Sequence, residues 1–284
     1  MTGRLGIVGA GPAGIAAAIW AYRLGIEAFI LERTQDLGGQ LTQYSLPIVD
    51  LPGFAPAPPA RLVERFRDDL ARLHVPVYYG AGAVGWADGS ILCRDGRAFA
   101  ADHVIYAPGL RVRRLGIPGE EWAFGGSAGE LANSALHQQI LVVGSGDRGI
   151  EAALRLADKG HAVVVASRSS VPSARAPYRR ALAQSGVAVL HNSEVKAITR
   201  DGVRVSAELS GKIPYWTGDA ILIRVGMEPD LAMELAAMRH DLAYSRYPDI
   251  SVVGDAALEP WERSLVTAHA SAMQAVKRYV LGLS

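Results

Sequence analysis

Three glycines, Gly9, Gly11 and Gly14, follow the apolar run "LGIV" and lead into the alanine-rich stretch "IAAAIWAYR". That spacing suits a backbone that turns sharply, approaches a diphosphate closely and packs a helix against a strand. A phosphate held there would meet a helix N-terminus, where free N–H groups and the helix dipole favour negative charge. Glu32, 23 residues after Gly9, is placed to take both hydroxyls of an adenosine ribose. The same grammar returns in "QILVVGSGDRGIEAALRLADKGHAVVVASR", with Gly144, Gly146 and Gly149. Its far end differs, carrying Ser167 and Arg168 where the first copy has an acid, with Arg175 a little further on. A carboxylate there would repel a 2′-phosphate, whereas serine and arginine would bind one. Two such units in one chain imply a flavin in the first site and NADPH in the second. The plainer alternatives are a glycine turn without a ligand and a structural βαβ unit with surface arginines.

The elements that must position these residues follow from the pattern. Strand Leu5–Val8 enters the first turn, a helix runs to about Gly25, and strand Ala28–Leu31 delivers Glu32. In the second copy the helix runs to Lys159 and the returning strand spans Val163–Ala166. "HVIYAPG" (103–109) and "DAILIRVGMEPD" (219–230) read as crossover segments between domains. "DISVVGDAA" (249–257) reads as a late strand ending at Gly254 and Asp255, returning the chain to the first domain. The closing stretch is helical, with Leu265, Ala268, Ala272 and Val276 on one face. A short proline-rich connector, 52–62, precedes an amphipathic helix over Arg61–Leu73. The expected fold is α/β: two Rossmann-like domains of three ββα layers, the NADPH domain inserted into a discontinuous FAD domain. The boundaries expected are 1–112 and 225–284 for FAD, and 113–224 for NADPH.

Composition narrows the function. Half of the 284 residues are hydrophobic, enough for such cores. Lysine plus arginine (29) nearly balances aspartate plus glutamate (28), so no field favours nucleic acid or an anionic membrane as partner. No run reaches the roughly 18 uninterrupted apolar residues of a membrane span, and the glycine-broken start does not read as a signal peptide. The single cysteine, Cys93, excludes an intrachain disulfide and fits a reducing compartment, so a cytoplasmic protein is expected. His74, His103, His137, His161, His191 and His240 show no paired spacing that would suggest a metal site.

The motifs in order resemble the thioredoxin-reductase-like class of flavoprotein disulfide reductases: "GAGPAG" (9–14), "GGQL" (38–41), "DLPGF" (50–54), "APG" (107–109), "LGIPGE" (115–120), "GSGDRG" (144–149), "VGMEP" (225–229) and "GDAA" (254–257). The resemblance implies FAD across the first domain, on Gly9, Gly11, Pro12, Ala13 and Gly14, with Glu32 and Arg33 following. Gly39, Gln40 and Asp50 would line the flavin, with Ala107 and Gly109 nearby. Gly254 and Asp255 would bind the ribityl chain, and the Arg263–Ser264 backbone would face the pyrimidine edge. For NADPH it implies Gly144, Gly146, Asp147, Arg148 and Gly149, then Ser167, Arg168 and Arg175. It also implies a homodimer.

The departures matter as much. In "FGGSAGELANSAL" (124–136) the two cysteines of that class fall, by ungapped counting from Gly144, on Ser127 and Glu130. Serine and glutamate lack the thiolate nucleophile and redox couple of disulfide exchange. Ferredoxin–NADP reductases of the same class also lack the dithiol, and "GGQLTQYSLPIVDLPGF" is similar to their version of the motif. Two residues are candidate catalytic groups. Glu130 would move a proton beside the flavin, or be a loop carboxylate. His269 would stabilise the reduced anionic flavin or serve an acceptor, or pack between helices. Cys93 reads as a small packed residue. The expected function is an NADPH-linked, FAD-dependent oxidoreductase passing electrons to a ferredoxin, a quinone or another small molecule. The alternatives are a flavin oxidase or dehydrogenase of a small metabolite that uses oxygen, and a non-catalytic FAD-binding sensor or scaffold.

Overall fold

The computed structural model describes residues 3–44, 47–134, 137–231 and 249–282. The chain divides into two compact units, Met1–Arg111 with Pro229–Ser284, and Val112–Glu228. The elements used below are, in chain order, β1 (Arg4–Val8), α1 (Pro12–Arg23), β2 (Glu27–Leu31), α2 (Pro59–Arg72), β3 (Val77–Tyr78) and β4 (His103–Tyr106). There follow α3 (Ala128–Ala132), β5 (Gln139–Val143), α4 (Asp147–Asp158), β6 (Ala162–Ala166), α5 (Ala176–Ser185), β7 (Ala188–Leu190) and β8 (Ala220–Ile223). The last two are β9 (Ile250–Val252) and α6 (Leu265–Leu281).

In the first unit a parallel sheet runs β9-β4-β1-β2-β3. Its strands are continuous apolar runs because both faces are covered. Leu5, Ile7 and Ile30 face α1 and α6, while Val8, Phe29 and Leu31 face the other way. Helix α1 meets α6 through small side chains, Ala17, Ala18 and Ala21 against Ala268, Ala272, Ala275 and Val276, so the two approach closely. The opposite face is closed by three antiparallel strands, Ala83–Ala87, Ser90–Cys93 and Ala98–Ala100. Cys93 is buried there among Phe29, Val104 and Tyr106. Burial pushes its thiol pKa up, with Asp95 adding to the rise, so it is held as the unreactive thiol.

The second unit repeats the plan. Its parallel sheet runs β7-β6-β5-β8, with α3, α4 and α5 packed on one face. Antiparallel strands Val195–Asp201, Arg204–Leu209 and Tyr215–Gly218 cover the other. Both units are therefore the three-layer ββα arrangement expected. Of the segments read as crossovers, 219–230 contains the return to the first unit, between Glu228 and Pro229, whereas 103–109 lies within the first unit; His103–Tyr106 and Ala220–Ile223 are buried strands of the two sheets. A four-residue run buried throughout belongs to a sheet rather than to a surface connection. The chain leaves one unit only after Arg111 and returns after Glu228. No helix among the described residues is long and apolar enough to cross a membrane.

Candidate functional site

At the first turn, β1 stops at Val8 and α1 starts at Pro12, whose ring pre-sets the helical backbone at the first position. Gly9 adopts φ 101°, open to glycine alone at low cost, and a Cβ there would strike the Ala107 carbonyl. A Cβ on Gly14 would run into the carbonyl of Gly9. These two glycines are thus imposed by the chain's own backbone. Gly11 is different. Among the described residues a Cβ there would find only the Gly39 Cα, 3.9 Å away, so none of them demands glycine at that position.

The second turn repeats the contrast. Gly144 sits at φ 115° with its Cβ position blocked by the Arg224 carbonyl, and Gly149 is blocked by the carbonyl of Gly144. Gly146, like Gly11, caps its helix without side-chain help and would meet only the Ser173 hydroxyl at 3.8 Å. In both turns the unforced glycine is the one whose backbone a diphosphate must approach. The residues present therefore fit a dinucleotide at each turn.

Around the first turn, Glu32 is buried at the end of β2. Its carboxylate accepts the Ala10 N–H at 2.8 Å and the Thr34 N–H and hydroxyl, both at 2.8 Å. Three of its roughly four acceptor positions are so used, which fixes the glycine loop to the acid and leaves less capacity for a ribose than the sequence implies. Arg33 pairs with Asp230. Gly38 donates its N–H to the Ala10 carbonyl at 2.8 Å and brings Gly39 beside Gly11. Gln40 Nε2 donates to Asp255 Oδ2 at 3.3 Å, and Gly109 lies beside the same amide. Asp50 is exposed on its loop. The Gly254 N–H is held by the Ser271 hydroxyl at 2.9 Å, next to Ala13. Arg263 Nε donates to the Asp255 and Leu258 carbonyls at 3.1 Å, while Ser264 and Thr267 form the capping box of α6.

Around the second turn, the Ser167 hydroxyl is fully buried. It is bonded to Ser145 Oγ at 2.8 Å and to the Ser169 carbonyl at 3.0 Å, so it joins the glycine loop to the end of β6. Arg168 is exposed. Asp147, at the start of α4, accepts the Arg175 backbone N–H at 2.7 Å and pairs with its guanidinium, whose pKa that contact raises. Arg148 occupies the next position of α4. Arg224, immediately after β8, was not singled out by the sequence and reaches the Gly126 carbonyl at 3.2 Å.

The four residues from Ser127 to Glu130 are the N-terminus of α3. Ser127 Oγ accepts the Glu130 N–H at 3.1 Å, and Glu130 Oε2 accepts the Ser127 N–H at 2.6 Å. The sequence carried the sign of this: S-x-x-E is the capping-box pattern. His269 packs edge-on to the Phe66 ring, centroids 6.0 Å apart, bringing α6 against α2. Its Nε2 is buried without a hydrogen-bond partner among the described residues. Among the described residues no group of three or more His, Cys, Asp or Glu could hold a metal; His240 lies outside them.

Comparison with known proteins places this arrangement. The pattern of the pyridine nucleotide-disulphide oxidoreductases matches residues 3–275. The chain belongs to that family. Within it, a thioredoxin reductase of Mycolicibacterium smegmatis is 29% identical over 240 residues, covering 78% of this chain and 75% of the relative. A ferredoxin–NADP reductase of Ignicoccus hospitalis is 27% identical over 249 residues, covering 78% and 76%. The crystal structure of Lactococcus lactis thioredoxin reductase superposes with a TM-score of 0.85 at 25% identity, over 99% of both chains. This oxidoreductase is FAD-dependent, with NADPH as its second cofactor.

Burial pushes the His269 imidazole below its ordinary pKa of 6.5, favouring the neutral ring in the folded oxidoreductase. The unfolded chain takes up that proton as pH falls below about 6.5, while the folded chain resists it. The stability this neutral ring contributes is therefore present above that value and lost beneath it. His269→Leu should flatten the acid side of the stability curve, measured as urea midpoints from pH 7.5 to 5.5. Some slope should remain, because burial lowers the His103 pKa in the same sense. An unchanged slope would show that His269 does not titrate on unfolding.

Proposed function

We propose that this chain passes electrons from NADPH through FAD to an external acceptor, a ferredoxin, a quinone or another small molecule, without dithiol chemistry. The observation that carries this reading is the capping box at Ser127 and Glu130, together with a single cysteine that is buried in another sheet. Nothing in the chain can cycle as a dithiol. When bound, FAD accepts a hydride equivalent from NADPH and hands its electrons on. The chain's residues bind and orient. In the first unit Gly9, Gly11 and Gly14 open the turn to the FAD diphosphate, and Glu32 holds the loop while offering its remaining acceptor to the ribose. Gln40 and Asp255, bonded to one another, are assigned to the flavin side.

In the second unit Gly146 opens the turn to NADPH. Ser167, fully buried, shapes the loop, and Arg168 is an exposed cation offered to the 2′-phosphate, while Arg175 is held by Asp147. Charge-assisted contacts of this kind are worth about 1.5–3 kcal/mol, or about one to two decades of affinity. Arg168→Ala should therefore weaken NADPH by that factor and leave NADH nearly unchanged, as read from the concentration dependence of anaerobic flavin bleaching in a stopped-flow instrument. Equal loss for both nucleotides would make Arg168 structural.

Glu130 uses Oε2 in the cap and keeps a second oxygen, so capping and proton transfer are both open to it. Glu130→Gln separates them, because glutamine also serves at the third position of a capping box. Loss of a general acid or base would slow the acceptor half-reaction about 100-fold or more. We expect quinone reduction by the reduced enzyme to keep its rate and pH profile in this variant. A 100-fold loss would assign the proton to Glu130.

A further inference from the structure

Arg224 immediately follows β8, the strand that flanks β5 on the side opposite β6. A dinucleotide in such a sheet lies across the C-terminal strand ends, with its diphosphate at the glycine turn. If the adenosine half runs over β6 toward Arg168, the other half runs over β8. Arg224 is therefore on the nicotinamide side. It is built into the turn from both directions. Its backbone N–H donates to the Val143 carbonyl at 2.7 Å, and its own carbonyl stands where a Gly144 Cβ would be.

Its guanidinium is part-buried and donates to the carbonyls of Ile223 at 2.7 Å and Gly126 at 3.2 Å. No carboxylate pairs with it among the described residues. Arg148, in the first turn of α4, is near enough for its charge to bear on Arg224. Burial, with the Arg148 charge adding to it, brings the Arg224 pKa down to about 10. A part-buried guanidinium that meets backbone carbonyls and no carboxylate among the described residues is costly unless an anion joins it. A planar guanidinium with N–H donors beyond those two bonds is suited to phosphate oxygens.

We propose that Arg224 clamps the nicotinamide-side phosphate of the dinucleotide in the second unit and ties it to the loop carrying Gly126 and Ser127. This rests on reading that turn as the NADPH site. The clamp is a specificity element of the diphosphate, distinct from the 2′-phosphate contact at Arg168.

The test compares two ligands on the FAD-loaded protein by calorimetry. NADP+ carries the nicotinamide-side phosphate, and 2′,5′-ADP lacks it. Arg224→Gln keeps an N–H donor for the Gly126 carbonyl but removes the charge. It should weaken NADP+ about ten- to a hundredfold while 2′,5′-ADP binds as in the wild type. Arg224→Lys should recover part of the loss. Unchanged NADP+ affinity, or an equal loss for both ligands, overturns the clamp. If the unaltered protein binds neither ligand, the NADPH reading of the second unit fails instead, and the clamp falls with it. Retained 2′,5′-ADP binding also shows that each variant is folded.

Discussion

Most of this molecule follows from one steric requirement, that a backbone N–H must come within hydrogen-bond reach of a diphosphate with no side chain between. Gly11 and Gly146 would meet it, and among the described residues no neighbouring atom forces glycine on either. The flanking glycines are consequences. Gly9 and Gly144 allow the strand to turn, and Gly14 and Gly149 let the following helix lie against that turn. The parallel sheets, covered on both faces, hold the turns at their strand ends, where helix N-termini supply the complementary field.

What distinguishes the two sites is the charge set around an otherwise repeated scaffold. The first turn is locked by a buried carboxylate that accepts the Ala10 N–H. The second is locked by a chain of hydroxyls, Ser145 to Ser167 to Ser169, and by the Asp147–Arg175 pair, leaving cations outward. In each case the same groups rigidify the loop and set the charge that a ligand would meet. Replacing them would thus alter affinity and loop order together.

The βαβ units were legible in the sequence because continuous apolar runs, glycine turns and alanine-rich helices are local signals. Three features were less so. The segment 103–109 read as a crossover, although it begins as a buried strand and the chain leaves the first unit only after Arg111. Glu130 drew attention as a possible acid, while its S-x-x-E spacing from Ser127 already described a helix cap. Arg224 gave no signal at all. Its meaning depends on a strand end, a helix turn and a loop about 100 residues away that only the fold brings together. Local patterns are written along the chain, whereas charge pairs across strand ends are written in the topology.

The central claim is that electrons pass through this protein with no sulfur store between the flavin and its acceptor. The most direct measurement is an anaerobic titration of the FAD-loaded protein with NADPH, or with dithionite, following flavin absorbance. Complete bleaching after one two-electron equivalent per flavin, with no further uptake, is the expected result. Consumption of a second two-electron equivalent would reveal a redox centre that Ser127, Glu130 and the buried Cys93 cannot provide, and would contradict the claim.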